Sequence, residues 1–444
     1  MTDNNAFTRH GDWIDKLDRN VFGFIEYPGY NQRYPAIEGT PVSHAEVEEL
    51  RQASNDLMKV FAKTTKIFQQ CSDRFMTLME IPPLMQKYLR TTNVLNMPTW
   101  LSRLDFVKGA DGFKMVEINA DTPCAFVESF YANGVYCSEN NKDNPNAGCY
   151  EGLKNFMNKV FNEVYHPRLD LATGRFSTKH PFVFACFHDY IEDYGTSIFL
   201  MNAMKRAIGN LYPEHTVEFV SFYDLRVRDD GSILLPDGRT AGAIYRLHPM
   251  ELLIEETAED GSSLGQAFME GYISGKFAMM NPPEAIIMQS KGFQALIWSL
   301  ACTWGEKVYS KEELATIKKY MLPTYFEEDF GILETSKDLF IKKPIWGREG
   351  KGITLLNGSG TIEEKQPLDP EEIVAHESKT CIYQPFVETN PQNLQVDEGK
   401  IPGYYTWSCF MLGNQPSAVY ARFSPEKIAG TEAYWAPLYL KEND

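Results

Sequence analysis

The residue pattern predicts a mixed α/β (α+β) fold, because three kinds of signal follow one another along the chain. A glycine-broken hairpin pattern occupies 101–120. A strand–helix–strand run with the logic of a parallel βαβ unit begins at Pro181, and the last third alternates short apolar runs with glycine loops.

The elements follow in order. Ser43 and Glu46 have capping-box spacing, and Val47, Leu50, Leu57, Phe61 and Phe68 recur at helical spacing, so a long amphipathic helix is expected through about Gln70. "NVLNMPTWLSRLDFVKG" turns into a strand, "GADG" breaks it and "FKMVEINA" resumes, which gives the hairpin. "YCSENNKDNPNAGCYEG", 136–152, reads as a loop. From Pro181, "FVFACF" is a buried strand, "TSIFLMNAMKRAIGN" a helix stopped by glycine and "TVEFVSF" a second strand, together a small Rossmann-like layer. Turns are expected at Asp230-Gly231 and Asp237-Gly238. Helices at "FQALIWSLACTW" and "KEELATIKKY" precede the strands "DLFIKKPI", "ITLLN" and "CIYQPFV" and a last hairpin turning at Gly413-Asn414.

At 444 residues the chain exceeds what one core serves well, so two or three lobes with a cleft between them are expected. With 43% hydrophobic and 23% charged residues it is too apolar for a disordered protein. The net charge of −17 and the lack of any basic run oppose binding to a nucleic-acid backbone. Eight scattered cysteines show neither a C-x-x-C pair nor zinc spacing, and read as thiols of a reducing compartment. No signal pattern or membrane-length apolar run is present, so a cytoplasmic location is expected, with no membrane partner.

The chemistry-bearing residues begin in the hairpin. Side chains two apart share a strand face, which pairs Arg103 with Asp105 and Glu117 with Asn119. With the turn near Ala110 and Asp111 the two pairs lie opposite each other, and three hard oxygen donors suit magnesium together with a phosphorylated ligand. An exposed face with cross-strand charge pairing is the plainer alternative. Further on, Gly347, Gly350 and Gly352 in "KKPIWGREGKG" leave backbone N–H groups free to approach an anion, beside Lys342 and Lys343. The loop lacks the G-K-[ST] ending of a Walker motif, and an ordinary β-turn is its bland reading. Gln384 and Val387 stand at a strand exit that could face an adenine edge or simply be core, and Lys291 could equally be a helix-start lysine.

These motifs together resemble the ATP-grasp superfamily, and specifically the synthetase domain of the glutathionylspermidine and trypanothione synthetase family. The matching residues are R-x-D at Arg103 to Asp105, E-x-N-x-D-T-P at Glu117 to Pro123, Glu128, K-P-x-x-G-R-E-G at Lys343 to Gly350, Tyr383-Gln384 and the closing "ARFSP". The metal element precedes the glycine flap by more than two hundred residues, so the resemblance implies a circularly permuted ATP-grasp fold with a Rossmann-like pre-ATP-grasp lobe. The hairpin should then lie beside the strands at 404–424.

The resemblance further implies that Asp105, Glu117 and Asn119 hold two magnesium ions. It implies that Arg103, Asp105, Lys291, Lys343, Glu349, Gly350, Tyr383, Gln384 and Val387 line ATP, and that Arg348, Arg422 and Lys343 serve the transfer itself. Thr122, Cys124, Glu192 and Asp193 fall where the family contacts its peptide substrate. Cys124 could instead be a packing residue, and Glu192 and Asp193 could cap the following helix or hold a polyamine. Leu247 stands where glutathione-using members place a small hydroxyl residue, and the residues before the hairpin are too few for an amidase domain.

The expected lobes are a helical lead-in at 1–100, the metal hairpin and its connection at 101–180, the Rossmann-like lobe at 181–280, and the lid with the C-terminal strands at 281–444. The expected activity is ATP-dependent ligation of a peptide-like acid to an amine, a polyamine among the candidates, through an acyl phosphate. A catalytically inactive ATP-binding regulatory or scaffold protein is the alternative.

Overall fold

The computed structural model describes residues 13–26, 33–168, 180–326, 339–348, 350–357, 360–365, 380–430 and 432–442. An antiparallel sheet and a parallel sheet lie between the same two hydrophobic cores. The antiparallel sheet runs Tyr434–Trp435, Gln415–Ser424, Gly399–Leu412, Leu101–Gly109, Gly112–Asn119, with Gln392–Val396 also paired to Gly399–Leu412. Strand Leu101–Gly109 is therefore seated between its hairpin partner and the C-terminal strand Gly399–Leu412, with Asp105 opposite Ser408. The expected neighbourhood of hairpin and C-terminal strands is what the chain forms.

Strand alternation divides the side chains between the cores. Leu104, Phe106, Cys409 and Met411 enter one, while Leu101, Phe410 and Leu412 enter the other. The first core is covered by helix His44–Phe68, whose Ser43–Glu46 capping box forms and whose expected apolar residues are all buried. The face that carries Leu101 also carries Arg103 and Asp105, so the apolar lining gives way there to charge.

The parallel sheet has the order Val217–Phe219, Phe182–Ala185, Ala243–Arg246, Ala278–Met280. Val183, Ala185 and Ile244 point into one core, and Phe182, Phe184 and Tyr245 into the other. Burial on both faces explains why "FVFA" is apolar without alternation. Helix Ile191–Ile208 connects the first two of these strands in sequence and stops at Gly209.

A third, five-stranded antiparallel sheet runs Tyr325–Phe326, Cys381–Pro385, Phe340–Pro344, Thr354–Leu356, Ile362–Lys365. It packs through small cores of its own, such as Phe340, Leu356 and Tyr383, and Ala295, Ile345 and Ile382. It thus stands over the main sheet as a separate wall, and a cleft remains between them.

Two differences from the sequence reading have local causes. The stretch at 136–152 is helical at both ends, in Asn133–Glu139 and Cys149–Val160. Its middle is held by Asn146, whose amide donates to the carbonyls of Ser129 and Val419 at 3.0 and 2.8 Å. Strand Thr40–Val42, absent from the reading, pairs in parallel with Leu438–Leu440.

Glu284 gives the fold a pH dependence. Its Oε1 accepts from Asn93 N and Nδ2 at 2.9 and 3.3 Å, and its other oxygen is buried with no donor among the described residues. Burial pushes its carboxyl from 4.5 up to about 7 against those hydrogen bonds. The folded chain then holds a proton that the unfolded chain releases, so this contribution is complete below about pH 4.5 and is lost as pH rises to 7. Glu284→Gln should remove that loss. In urea titrations the wild type should lose on the order of 3 kcal/mol more than the variant between pH 5 and 8; parallel profiles would rule the assignment out.

Candidate active site

The hairpin turns at Ala110 and Asp111, and its register sets Arg103 opposite Asn119 and Asp105 opposite Glu117. Arg103 grips Asp105 by Nε to Oδ1 at 2.7 Å and Nη2 to Oδ2 at 2.8 Å, and donates from Nη1 to the Cys124 carbonyl at 3.0 Å. Asn119 Nδ2 donates to Asp105 Oδ2 at 3.2 Å, which leaves its amide oxygen out of that contact.

The open end of the hairpin is clamped by two amides. Asn281 donates to the carbonyls of Leu101, Ala120 and Asp121 and accepts from Trp100 N and Leu101 N. Gln289 accepts from Ala120 N and Asp121 N. Beside them the fully buried Asp121 meets the fully buried Arg246, with Nη2 to Oδ1 at 2.5 Å and Nη1 to Oδ2 at 3.0 Å. These contacts tie the hairpin to the parallel sheet.

Two cavities open on either side of this patch. The first is lined by Lys343, Gly350, Gln384 and Val387, with Ile341 and Phe386 as apolar walls, and also by Glu117 and Arg422. The second is lined by Thr122, Cys124, Glu192, Asp193, Arg348, Arg103 and Asn119, and again by Glu117 and Arg422. Glu117 and Arg422 thus form a wall common to both.

Charge concentrates at that wall. Lys291 Nζ lies 3.4 Å from Glu117 Oε2 and donates to the Gly347 carbonyl at 2.5 Å. Lys343 Nζ donates to the Val116 carbonyl at 3.1 Å. Burial pushes the Glu117 carboxyl upward, but Lys291, Lys343, Arg422 and Arg103 outweigh it and hold the group at about 2. Burial also draws the Lys343 ammonium down to about 8, with Glu117 opposing and Lys291 reinforcing. The wall carries more positive than negative charge and suits an anion.

In the first cavity, Gln384 Nε2 donates to Thr324 Oγ1 and Gln294 Oε1 at 3.0 and 3.2 Å, while its Oε1 is buried without a donor among the described residues. Such an orphaned acceptor fits a ligand that brings an N–H group. Gly350 has φ +75°, and a Cβ there would stand 2.3 Å from the Ala429 carbonyl, so only glycine lets the loop lie this close.

The family described as glutathionylspermidine synthase preATP-grasp matches residues 4–441. The chain belongs to that family. A Haemophilus influenzae protein named provisionally as an acid–amine ligase is 22% identical over 371 residues, covering 80% of this chain and 78% of that protein. The structure of a glutathione synthetase-like effector from Globodera pallida, in apo form, matches with a TM-score of 0.58 at 11% identity, covering 99% of this chain and 98% of that one. At that identity the likeness concerns the fold alone.

Of the residues that the resemblance implies, most meet around the two cavities. Arg103, Glu117, Asn119, Thr122, Cys124, Glu192, Asp193, Lys343, Arg348, Gly350, Gln384, Val387 and Arg422 line one or both, and Asp105 and Lys291 contact lining residues. The Tyr383 side chain is not brought there. It neighbours Gln384 on a strand, so it turns to the opposite face and packs with Phe340 and Leu356. Glu349 lies outside the described residues. Glu192 and Asp193 occupy the first turn of helix Ile191–Ile208 and also line the second cavity, so helix polarity and ligand contact are compatible.

Magnesium fits the donor set through its chemistry. Among the described residues no three His, Cys, Asp or Glu side chains form a cage, so a cation at the hairpin would draw on the Asn119 oxygen and on substrate oxygens besides Asp105 and Glu117. Magnesium is bound in that way more readily than zinc.

Sequence reasoning gave no role to Asp121, Arg246, Asn281, Gln289 or Gln294, whose partners lie far off in the chain. Arg246→Met should strand the Asp121 carboxylate and lower unfolding free energy by about 3–5 kcal/mol in urea denaturation. Adding Asp121→Leu should restore a large part of it; a single variant as stable as wild type would show that the pair does not hold the hairpin to the parallel sheet.

Proposed function

We propose that this chain is an ATP-dependent carboxylate–amine ligase, joining a peptide-like acid to an amine through an acyl phosphate on a circularly permuted ATP-grasp fold. The observation that carries the reading is the common wall: Glu117 and Arg422 border both a cleft suited to a nucleotide and a cavity suited to acceptors. A γ-phosphate at that wall would face the acceptor side. Family membership and the naming of the Haemophilus influenzae relative support the same reaction class. The lobes proposed are 1–100, 101–180, a Rossmann-like pre-ATP-grasp lobe at 181–280, and 281–444.

In the first cavity, Ile341, Phe386 and Val387 would sandwich the adenine while Gln384 Oε1 accepts from its amino group. Lys291 and Lys343 would hold phosphate oxygens, with Gly350 allowing the backbone to close over them. Magnesium, held by Asp105, Glu117 and Asn119, would neutralise charge on the transferred phosphoryl group. Arg103 orients Asp105 for that task. In the second cavity Arg348 and Arg422 would align the acid, whose carboxylate oxygen attacks the γ-phosphorus as ADP departs. The amine nitrogen then attacks the acyl carbon, phosphate leaves, and the surplus amine proton passes to solvent.

Glu192 and Asp193 would draw an ammonium group toward this cavity, with a polyamine as one candidate amine. Leu247 is buried in a core and offers the cavity no hydrogen bond, which weighs against glutathione as the acid. The gathering of Glu117, Lys291, Lys343, Arg103 and Arg422 around the wall weighs against an inactive scaffold.

Phosphate release from ATP and magnesium, assayed with glutathione, γ-glutamyl peptides and a polyamine panel, should require an acid and an amine together. Release independent of both would reject the ligase. Asp105→Ala and Glu117→Ala should each reduce turnover by on the order of 10²-fold or more while leaving the circular dichroism spectrum unchanged. Near-normal rates at limiting magnesium would remove these two residues from the cation's ligands.

A further inference from the structure

Glu251 has no part in the roles above, yet it makes the closest side-chain contacts of Arg348. Its Oε1 accepts from Arg348 Nε at 3.1 Å and Nη2 at 2.6 Å. Arg348 Nη1 donates to Thr122 Oγ1 at 3.1 Å. Glu251 is itself placed by its neighbour: Met250 N, at the start of helix Met250–Leu253, donates to Asp121 Oδ2 at 2.9 Å. Asp121 adjoins Thr122 and is fixed by Arg246. The contacts therefore close a ring, from Asp121 to Met250, through Glu251 to Arg348, and back by Thr122.

Two further facts indicate what the ring is for. A guanidinium has five N–H groups, and the three used here leave one on each terminal nitrogen, a fork suited to a carboxylate or phosphoryl group. Thr122 and Arg348 both line the second cavity. In addition, the Glu251 side chain is only 9% exposed, and its Oε2 is buried with no donor among the described residues. A buried carboxylate with one oxygen unpaired is a poor contributor to stability. Its presence there is better explained by what the paired oxygen holds.

We infer that Glu251 is a positioning residue, fixing the Arg348 guanidinium at the wall of the acceptor cavity so that its two remaining N–H groups meet the reacting acid in one orientation. What Arg348 does rests on the ligase reading above; what holds Arg348 rests on the contacts alone. The two parts can be tested apart.

The first experiment uses the substrate-free protein. Phenylglyoxal modifies accessible arginines, and mass mapping follows Arg348 by itself. Arg348 should react about tenfold faster in Glu251→Ala than in wild type, as expected for loss of hydrogen bonds to a charged group, with Glu251→Gln between them because it keeps one acceptor oxygen. Equal rates in all three proteins, at melting temperatures that show each is folded, would overturn the inference.

The second experiment measures amide formation from the acid and amine pair that the phosphate-release panel selects. Glu251→Ala should raise KM for the acid and lower kcat while KM for ATP stays within about twofold, and Glu251→Gln should recover much of the loss. In an Arg348→Ala background, Glu251→Ala should add less than about threefold, because both changes remove one function. Full additivity would overturn the inference. A wild type that forms no amide with any pair would count against the ligase reading, and the modification rates would still decide whether Glu251 holds Arg348.

Discussion

The pairing of strand Leu101–Gly109 with strand Gly399–Leu412 is the constraint from which the site follows. It seats Asp105 and Arg103 on the central antiparallel sheet, with strand Gly399–Leu412 between them and the strand that carries Tyr420 and Arg422. Because side chains alternate, the same pairing that buries Leu104 and Phe106 on one face obliges Arg103 and Asp105 to share the other. Charge is tolerated there since each group has a partner: the guanidinium with its carboxylate, and Glu117 with the lysines from two other elements.

The resulting electrostatics are lopsided by construction. Glu117 sits among Lys291, Lys343, Arg422 and Arg103, so it stays ionised in spite of burial. With no anion bound, the cationic groups repel one another, and the depressed Lys343 ammonium registers that repulsion as well as its burial. A polyanion entering the cleft would relieve it, so part of the binding free energy is already built into the protein as unfavourable charge proximity. Such preorganised charge suits phosphoryl transfer, in which little covalent chemistry falls to the protein.

Local patterns made much of this legible. The "GADG" turn and the strand periodicity gave the hairpin and its opposed pairs, and Ser43 with Glu46 gave the start of the long helix. The residues of the resemblance gather from positions 103 to 422, which no local pattern could have shown. What escaped notice depends on partners remote in sequence. Asp121 and Arg246 are 125 residues apart, and Asn281 clamps backbone 180 residues away, so neither carries a signal in its own neighbourhood. The stretch at 136–152 escaped for a similar reason, since the local turn at Asn144 and Asn146 is completed by Asn146 contacts to Ser129 and to Val419 of strand Gln415–Ser424. Tyr383 shows the opposite case: period-two alternation alone separates it from Gln384.

The same central pairing has a consequence for biosynthesis. Strand Leu101–Gly109 must wait for a partner made about 300 residues later, which at ordinary rates of translation is on the order of tens of seconds. Until then the nascent hairpin presents one unpaired edge, with Leu104 and Phe106 on one side and Arg103 and Asp105 on the other. The parallel sheet can assemble meanwhile, since all four of its strands are complete by Met280. Completion of the central antiparallel sheet is thus a late event in synthesis, set by the separation in sequence of the strands it pairs.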